Sequence, residues 1–69
     1  MRIYAVQAYS ASRNQLQREL DEDALKGRHC TDLKLAERKA QSFATRLNQQ
    51  QLLNATDWKP RVESVKYGN

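Results

Sequence analysis

The sequence predicts an α+β domain: a small antiparallel sheet of two or three strands packed against one long helix, with a second, shorter helix or a loop. Three observations carry this. A stretch rich in β-branched and aromatic residues opens the chain, a helical periodicity runs from Leu33 to Leu47, and a second β-rich stretch closes it. At 69 residues the chain is read as one domain over 1–69.

Arg2 to Tyr9 contains no Gly or Pro and reads as a strand. Ile3, Ala5, Gln7 and Tyr9 share one face, and Tyr4, Val6 and Ala8 the other. Both faces are largely apolar, the pattern of a central strand or of one covered on both sides. Ser12-Arg13-Asn14-Gln15 then has the S-x-x-Q form of a capping box, and Leu16, Leu20 and Ala24 follow at helical spacing before Gly27. This predicts a short polar helix from Asn14 to Lys26; a polar loop or an edge strand through Gln17 to Leu20 fits the same letters.

The strongest signal follows Thr31 and Asp32, either of which can cap a helix. Leu33, Ala36, Ala40, Phe43, Ala44 and Leu47 fall within an arc of about 100°. Its three alanines form a ridge that lets the backbone approach a sheet closely, while Phe43 and Leu47 fill the space beside it. The stripe lapses at Gln50 and Gln51, so the helix or its packing changes near Gln49 to Gln51, and Leu52 and Leu53 are expected to turn back onto the core.

Thr56 to Pro60 reads as a turn or the start of a strand, and Arg61 to Tyr67 as the second strand. The offset of Val62 and Val65 predicts a bulge or coverage on both faces. Two strands make a marginal sheet in water. A third strand within Gln15 to Thr31, or a second copy of the chain forming a homodimer, is needed to complete it.

Composition narrows the function. The chain is 39% hydrophobic and 29% charged, with a mean hydropathy of −0.93, so its core is thin. Twelve Lys and Arg against eight Asp and Glu give a net charge of +4, which leans towards nucleic acid or an acidic protein. The single Cys30 and single His29 exclude an internal disulfide and a four-ligand Cys/His zinc site. A lone thiol fits a reducing, cytoplasmic setting. The apolar run from Ile3 to Val6 is too short for a signal-peptide core or a membrane span, so no membrane partner is expected.

Catalytic motifs are lacking. With Gly27 and Gly68 as the only glycines, neither G-x-x-x-x-G-K-[ST] nor G-x-G-x-x-G occurs, and no cofactor is expected. The serines at 10, 12, 42 and 64 stand in no G-x-S-x-G setting. Glu19, Asp21, Glu22 and Asp23 match no metal loop and read as a solvated face. His29-Cys30 lacks an orienting third group. No catalytic, cofactor or metal-ligating residue is assigned, and an enzyme is not expected.

Binding residues remain. Glu19 to Asp23 holds four of the eight acids, leaving residues 24 to 69 with nine basic against four acidic groups. Lys34, Arg38, Arg46 and, towards one flank, Lys39 lie on the predicted solvent face of the long helix, and Lys59, Arg61 and Lys66 surround the last strand. These seven are the candidate nucleic-acid-binding set, with Trp58, Tyr67, Tyr4 and Tyr9 as stacking surfaces for single-stranded bases. Trp58 with Arg61, and Leu35 on the far side of the helix, are the candidate protein-partner contacts; a core-closing role for Trp58 is the simpler reading. The favoured function is a non-catalytic binding module acting through a protein partner, with nucleic-acid binding as the alternative. In size, basicity and lack of catalytic residues the chain resembles the small accessory proteins of phages and mobile elements, which implies binding to a host factor.

Overall fold

The computed structural model describes residues 2–19, 30–50 and 56–66. They form strand β1 (Arg2–Ser10), strand β2 (Gln15–Arg18), helix α1 (Leu33–Gln50) and strand β3 (Trp58–Lys66). The sheet is antiparallel with order β2-β1-β3. The strand with two apolar faces is thus the central one. The third strand lies within the chain, in part of the region where it was sought, and α1 covers one side of the sheet.

The predicted helix beginning at Asn14 does not form over its described part; its remainder, with the acids Asp21 to Asp23 and His29, lies outside the described residues. Residues Ala11 to Asn14 instead make a hairpin turn. The Asn14 N–H donates to the Ala11 carbonyl at 3.2 Å, and Asn14 takes φ 51°, a left-handed conformation that asparagine tolerates better than most residues. The capping box fails because its serine is engaged elsewhere: both the hydroxyl and the N–H of Ser12 donate to Asp57, at 2.9 and 2.8 Å. Leu16 therefore pairs with Tyr9 across the hairpin and does not join a helical ridge.

Past β2 the same edge of β1 continues to be used. The Glu19 N–H donates to the Val6 carbonyl at 2.9 Å, and the chain returns at Cys30, whose carbonyl accepts from Tyr4 N–H at 2.8 Å.

Helix α1 begins where its stripe predicts. Asp32 is the cap, its Oδ1 accepting from Lys34 N–H at 3.0 Å and Leu35 N–H at 3.4 Å, an arrangement that typically stabilises by about 1 kcal/mol. Ala36, Ala40 and Ala44 are buried against the sheet. Ala8, Ala44 and Trp58 form one core cluster flanked by Phe43 and Leu47; Val6, Ala36 and Ala40 form a second flanked by Tyr4, Cys30 and Val62. Leu33, counted in the stripe, stays 46% exposed. The helix extends to Gln50; Leu52 and Leu53 lie outside the described residues.

Strand β3 starts at Trp58, earlier than the Arg61 predicted, and pairs with β1 without interruption from Ser10↔Trp58 to Arg2↔Lys66. No bulge separates Val62 from Val65. They lie on opposite faces of a regular strand. Asn48 fixes its start: Asn48 Nδ2 donates to the Trp58 carbonyl at 3.1 Å, and Trp58 N–H donates to Asn48 Oδ1 at 2.9 Å. The side-chain amide thereby mimics a neighbouring strand. Because the backbone groups of Trp58 point away from β1, antiparallel alternation turns those of Pro60, Val62 and Ser64 the same way. The missing N–H of Pro60 costs the ladder nothing, which explains why a proline stands inside the strand. No helix among the described residues is long and apolar enough to cross a membrane.

Candidate functional site

Register sorts the sheet residues into two faces. Val6, Ala8, Trp58 and Val62 belong to the face under α1. The opposite face carries Ile3↔Val65, Ala5↔Glu63, Gln7 between Arg18 and Arg61, and Tyr9 between Leu16 and Lys59. No second layer of described residues covers it. Leu16 is 47% exposed there, beside the half-buried Tyr9, whose hydroxyl donates to Asn14 Oδ1 at 3.0 Å. Arg18, Lys59, Arg61 and Glu63 are exposed. Gln7, on the central strand, is buried; its Nε2 donates to Glu63 Oε2 at 3.4 Å, while its Oε1 has no partner among the described residues.

The candidate basic residues do not form one surface. Lys34 and Arg38 are exposed on α1, on one side of the sheet, whereas Lys59 and Arg61 are on the other. Arg46 is committed: its guanidinium donates to Glu19 Oε1 at 3.0 Å and lies 5.7 Å from the Phe43 ring centroid. Lys39 is half-buried and already has an interaction partner. Lys66 pairs with Arg2 at the far end of the sheet.

The partner candidates separate likewise. Trp58 is 3% exposed, so its indole closes the core and offers no surface to a partner. Tyr4 packs beneath α1 in the second core cluster. Leu35 is exposed on the helix, remote in role from Arg61 on the open face. Tyr67 lies outside the described residues. The exposed residues of this face that the sequence did not single out are Leu16 and Arg18, because the favoured reading placed both on a helix; the turn-forming Ser-Arg-Asn beside Gln15-Leu16-Gln17-Arg18 was the available signal for a hairpin.

The densest polar cluster lies at the end of the sheet. Ser10 Oγ donates to Asp57 Oδ1 at 2.6 Å, Ser12 adds its N–H and hydroxyl, the two serine oxygens are 3.2 Å apart, and Arg13 N–H donates to Ser10 Oγ at 3.3 Å. The hydrogen bond from Ser10, then those from Ser12, pull the Asp57 carboxyl from its ordinary 3.8 down to about 2. A carboxylate so stabilised is a poor proton acceptor, and both hydroxyls are spent on it. The cluster ties the β1–β2 turn to the start of β3.

Asp57 therefore contributes stability in full above about pH 3.8, and that contribution is lost as pH falls through about 2. In thermal melts followed by circular dichroism, the Tm difference between the wild type and Asp57→Asn should stay constant from neutral pH to about 4 and shrink towards pH 2. A difference unchanged at pH 2 would show that the carboxylate charge plays no part.

Among the described residues no group of three or more His, Cys, Asp or Glu is placed to hold a metal ion. Cys30 is half-buried and its thiol donates to the Asp32 carbonyl at 3.3 Å. Comparison with protein-family models, curated proteins and solved structures finds no match to this chain.

Proposed function

We propose that this chain is a non-catalytic binding module that engages an acidic protein partner through the open face of its sheet. The observation that carries the reading is the row Arg18–Gln7–Arg61 set beside Tyr9, Leu16 and Lys59. Three cations against Glu63, the one acid among the described residues of this face, favour an anionic surface, while Leu16, Ala5, Ile3 and Val65 supply apolar contact. Tyr and Arg beside an exposed leucine is the composition of a protein interface centre.

Single-stranded nucleic acid is the second reading, supported by Tyr9 among the same cations. Such binding uses successive aromatic platforms along the strand. Tyr9 is the only described aromatic residue on this face, since Tyr4 and Trp58 belong to the other. A protein partner fits better.

Tagged protein used as bait in extract from its native cell, with and without nuclease, separates the two. We expect a captured protein that survives nuclease and whose affinity for the purified bait falls on the order of tenfold in Arg61→Ala, about 1.4 kcal/mol, and further in Arg18→Glu/Arg61→Glu. Capture lost to nuclease, or unaffected by both variants but lost in Lys34→Glu/Arg38→Glu, would overturn the reading.

A further inference from the structure

The outer edge of β3 is a second surface, which shares Arg61 and Glu63 with the open face. The sheet order leaves this edge without a described neighbouring strand, apart from the Asn48 amide on Trp58. Pro60 presents only a carbonyl outward, whereas Val62 and Ser64 present both an N–H and a carbonyl. Bare edges of this kind pair with other strands unless blocked.

Charge pattern selects what pairs here. Arg61 and Glu63 flank Val62, both exposed and both on the open face. We propose that a second copy of this chain pairs antiparallel along the outer edge of β3, with Val62 opposite Val62 on the two-fold axis, so that Arg61 of each copy faces Glu63 of the other.

In this register the outward groups meet. Val62 N–H reaches the Val62 carbonyl in both directions, and Ser64 N–H reaches the Pro60 carbonyl in both directions. The missing Pro60 N–H removes only the return bonds to Ser64. A slip that sets Glu63 against Glu63 puts like charges directly opposite, which is destabilising; the slip that sets Arg61 against Arg61 brings Lys59 opposite Glu63 but also puts Ser64 opposite Trp58, whose N–H and carbonyl are already taken by Asn48. A groove of about 230 Å³ lined by Glu37, Gln41, Pro60 and Val62 runs beside the same edge, leaving room on the α1 side for the second copy's Val62. The pairing is isologous and consumes both β3 edges. Among the described residues the edge that remains in each copy is the four-residue β2, too short to favour further pairing, so a closed dimer is expected.

Sedimentation equilibrium across a dilution series tests this, with circular dichroism to verify folding. The wild type should dimerise. Arg61→Glu alone and Glu63→Arg alone each place like charges opposite one another at both symmetric contacts, and each should weaken the dimer by about tenfold or more. An equimolar mixture of the two variants restores opposite charges at every contact and should form a heterodimer at near wild-type affinity, as should the double swap Arg61→Glu/Glu63→Arg with itself. A wild type that stays monomeric, single variants that dimerise as well as the wild type, or a mixture that is not rescued would each overturn the proposal. The partner reading of the open face is tested separately by extract capture with Arg18→Glu alone, because Arg18 lies on β2, away from the β3 edge: lost capture with an unchanged dimer supports that reading, and unchanged capture overturns it.

Discussion

Trp58→Ala should cost about 3–5 kcal/mol, comparable with the entire stability of a domain this small, roughly 0.05–0.15 kcal/mol per residue. The indole is 3% exposed and packs with Ala8 and Ala44, flanked by Phe43 and Leu47. These neighbours include alanines, which have no side chain to swing into the space left behind, so the cavity persists. The same residue anchors β3 to α1 through both hydrogen bonds to Asn48, and loosening the side chain loosens that anchor. Trp58→Phe provides the contrast. It removes Nε1, a buried donor with no partner among the described residues, while keeping most of the ring, and should cost only about 1–2 kcal/mol. Each kcal/mol moves the Tm of a domain of this size by roughly 4–8 °C. Urea and thermal unfolding should find the alanine variant largely unfolded at 37 °C and the phenylalanine variant folded. An alanine variant melting within a few degrees of the wild type would remove Trp58 from the core.

What the sequence made legible was whatever has a long periodic signal. Residues 33 to 47 recur at helical spacing over four turns, and Asp32 stands ahead of them, so the helix and its cap could be placed. β1 lacks clean alternation, which marked it as central but left open which face α1 covers. That ambiguity hid the open face. β2 is four residues long, too short for alternation to compete with a capping-box pattern and the spacing of Leu16, Leu20 and Ala24. What decided the matter is tertiary: Ser12 gives its donors to Asp57, 45 positions away. No local pattern announces such a contact. Pro60 misplaced the start of β3 for the opposite reason, since it reads as a strand breaker until the ladder shows its nitrogen facing outward. Of the basic residues, the identities were evident but not the partition, because strand parity sends Lys59 and Arg61 away from the helix.

Ala40→Leu should destabilise the domain by about 1–3 kcal/mol through overpacking, although leucine forms helix almost as well as alanine. Ala40 is 0% exposed, the middle member of a ridge with Ala36 and Ala44, and it clusters with Val6 beneath α1. Added side-chain volume there must push α1 off the sheet or force neighbouring side chains from their preferred rotamers, since the ridge is what permits the close approach. Lifting α1 also strains the Asn48 hydrogen bonds at the start of β3, two turns further along the same helix. The expected Tm decrease is roughly 5–20 °C. Thr45→Leu makes a comparable change at an exposed position of the same helix and should stay within about 0.5 kcal/mol of the wild type. The comparison isolates packing from helix propensity and from added hydrophobicity. If the two leucine variants melt together, the alanine ridge is not what seats the helix, and the close contact between α1 and the central strand is not what holds the fold together.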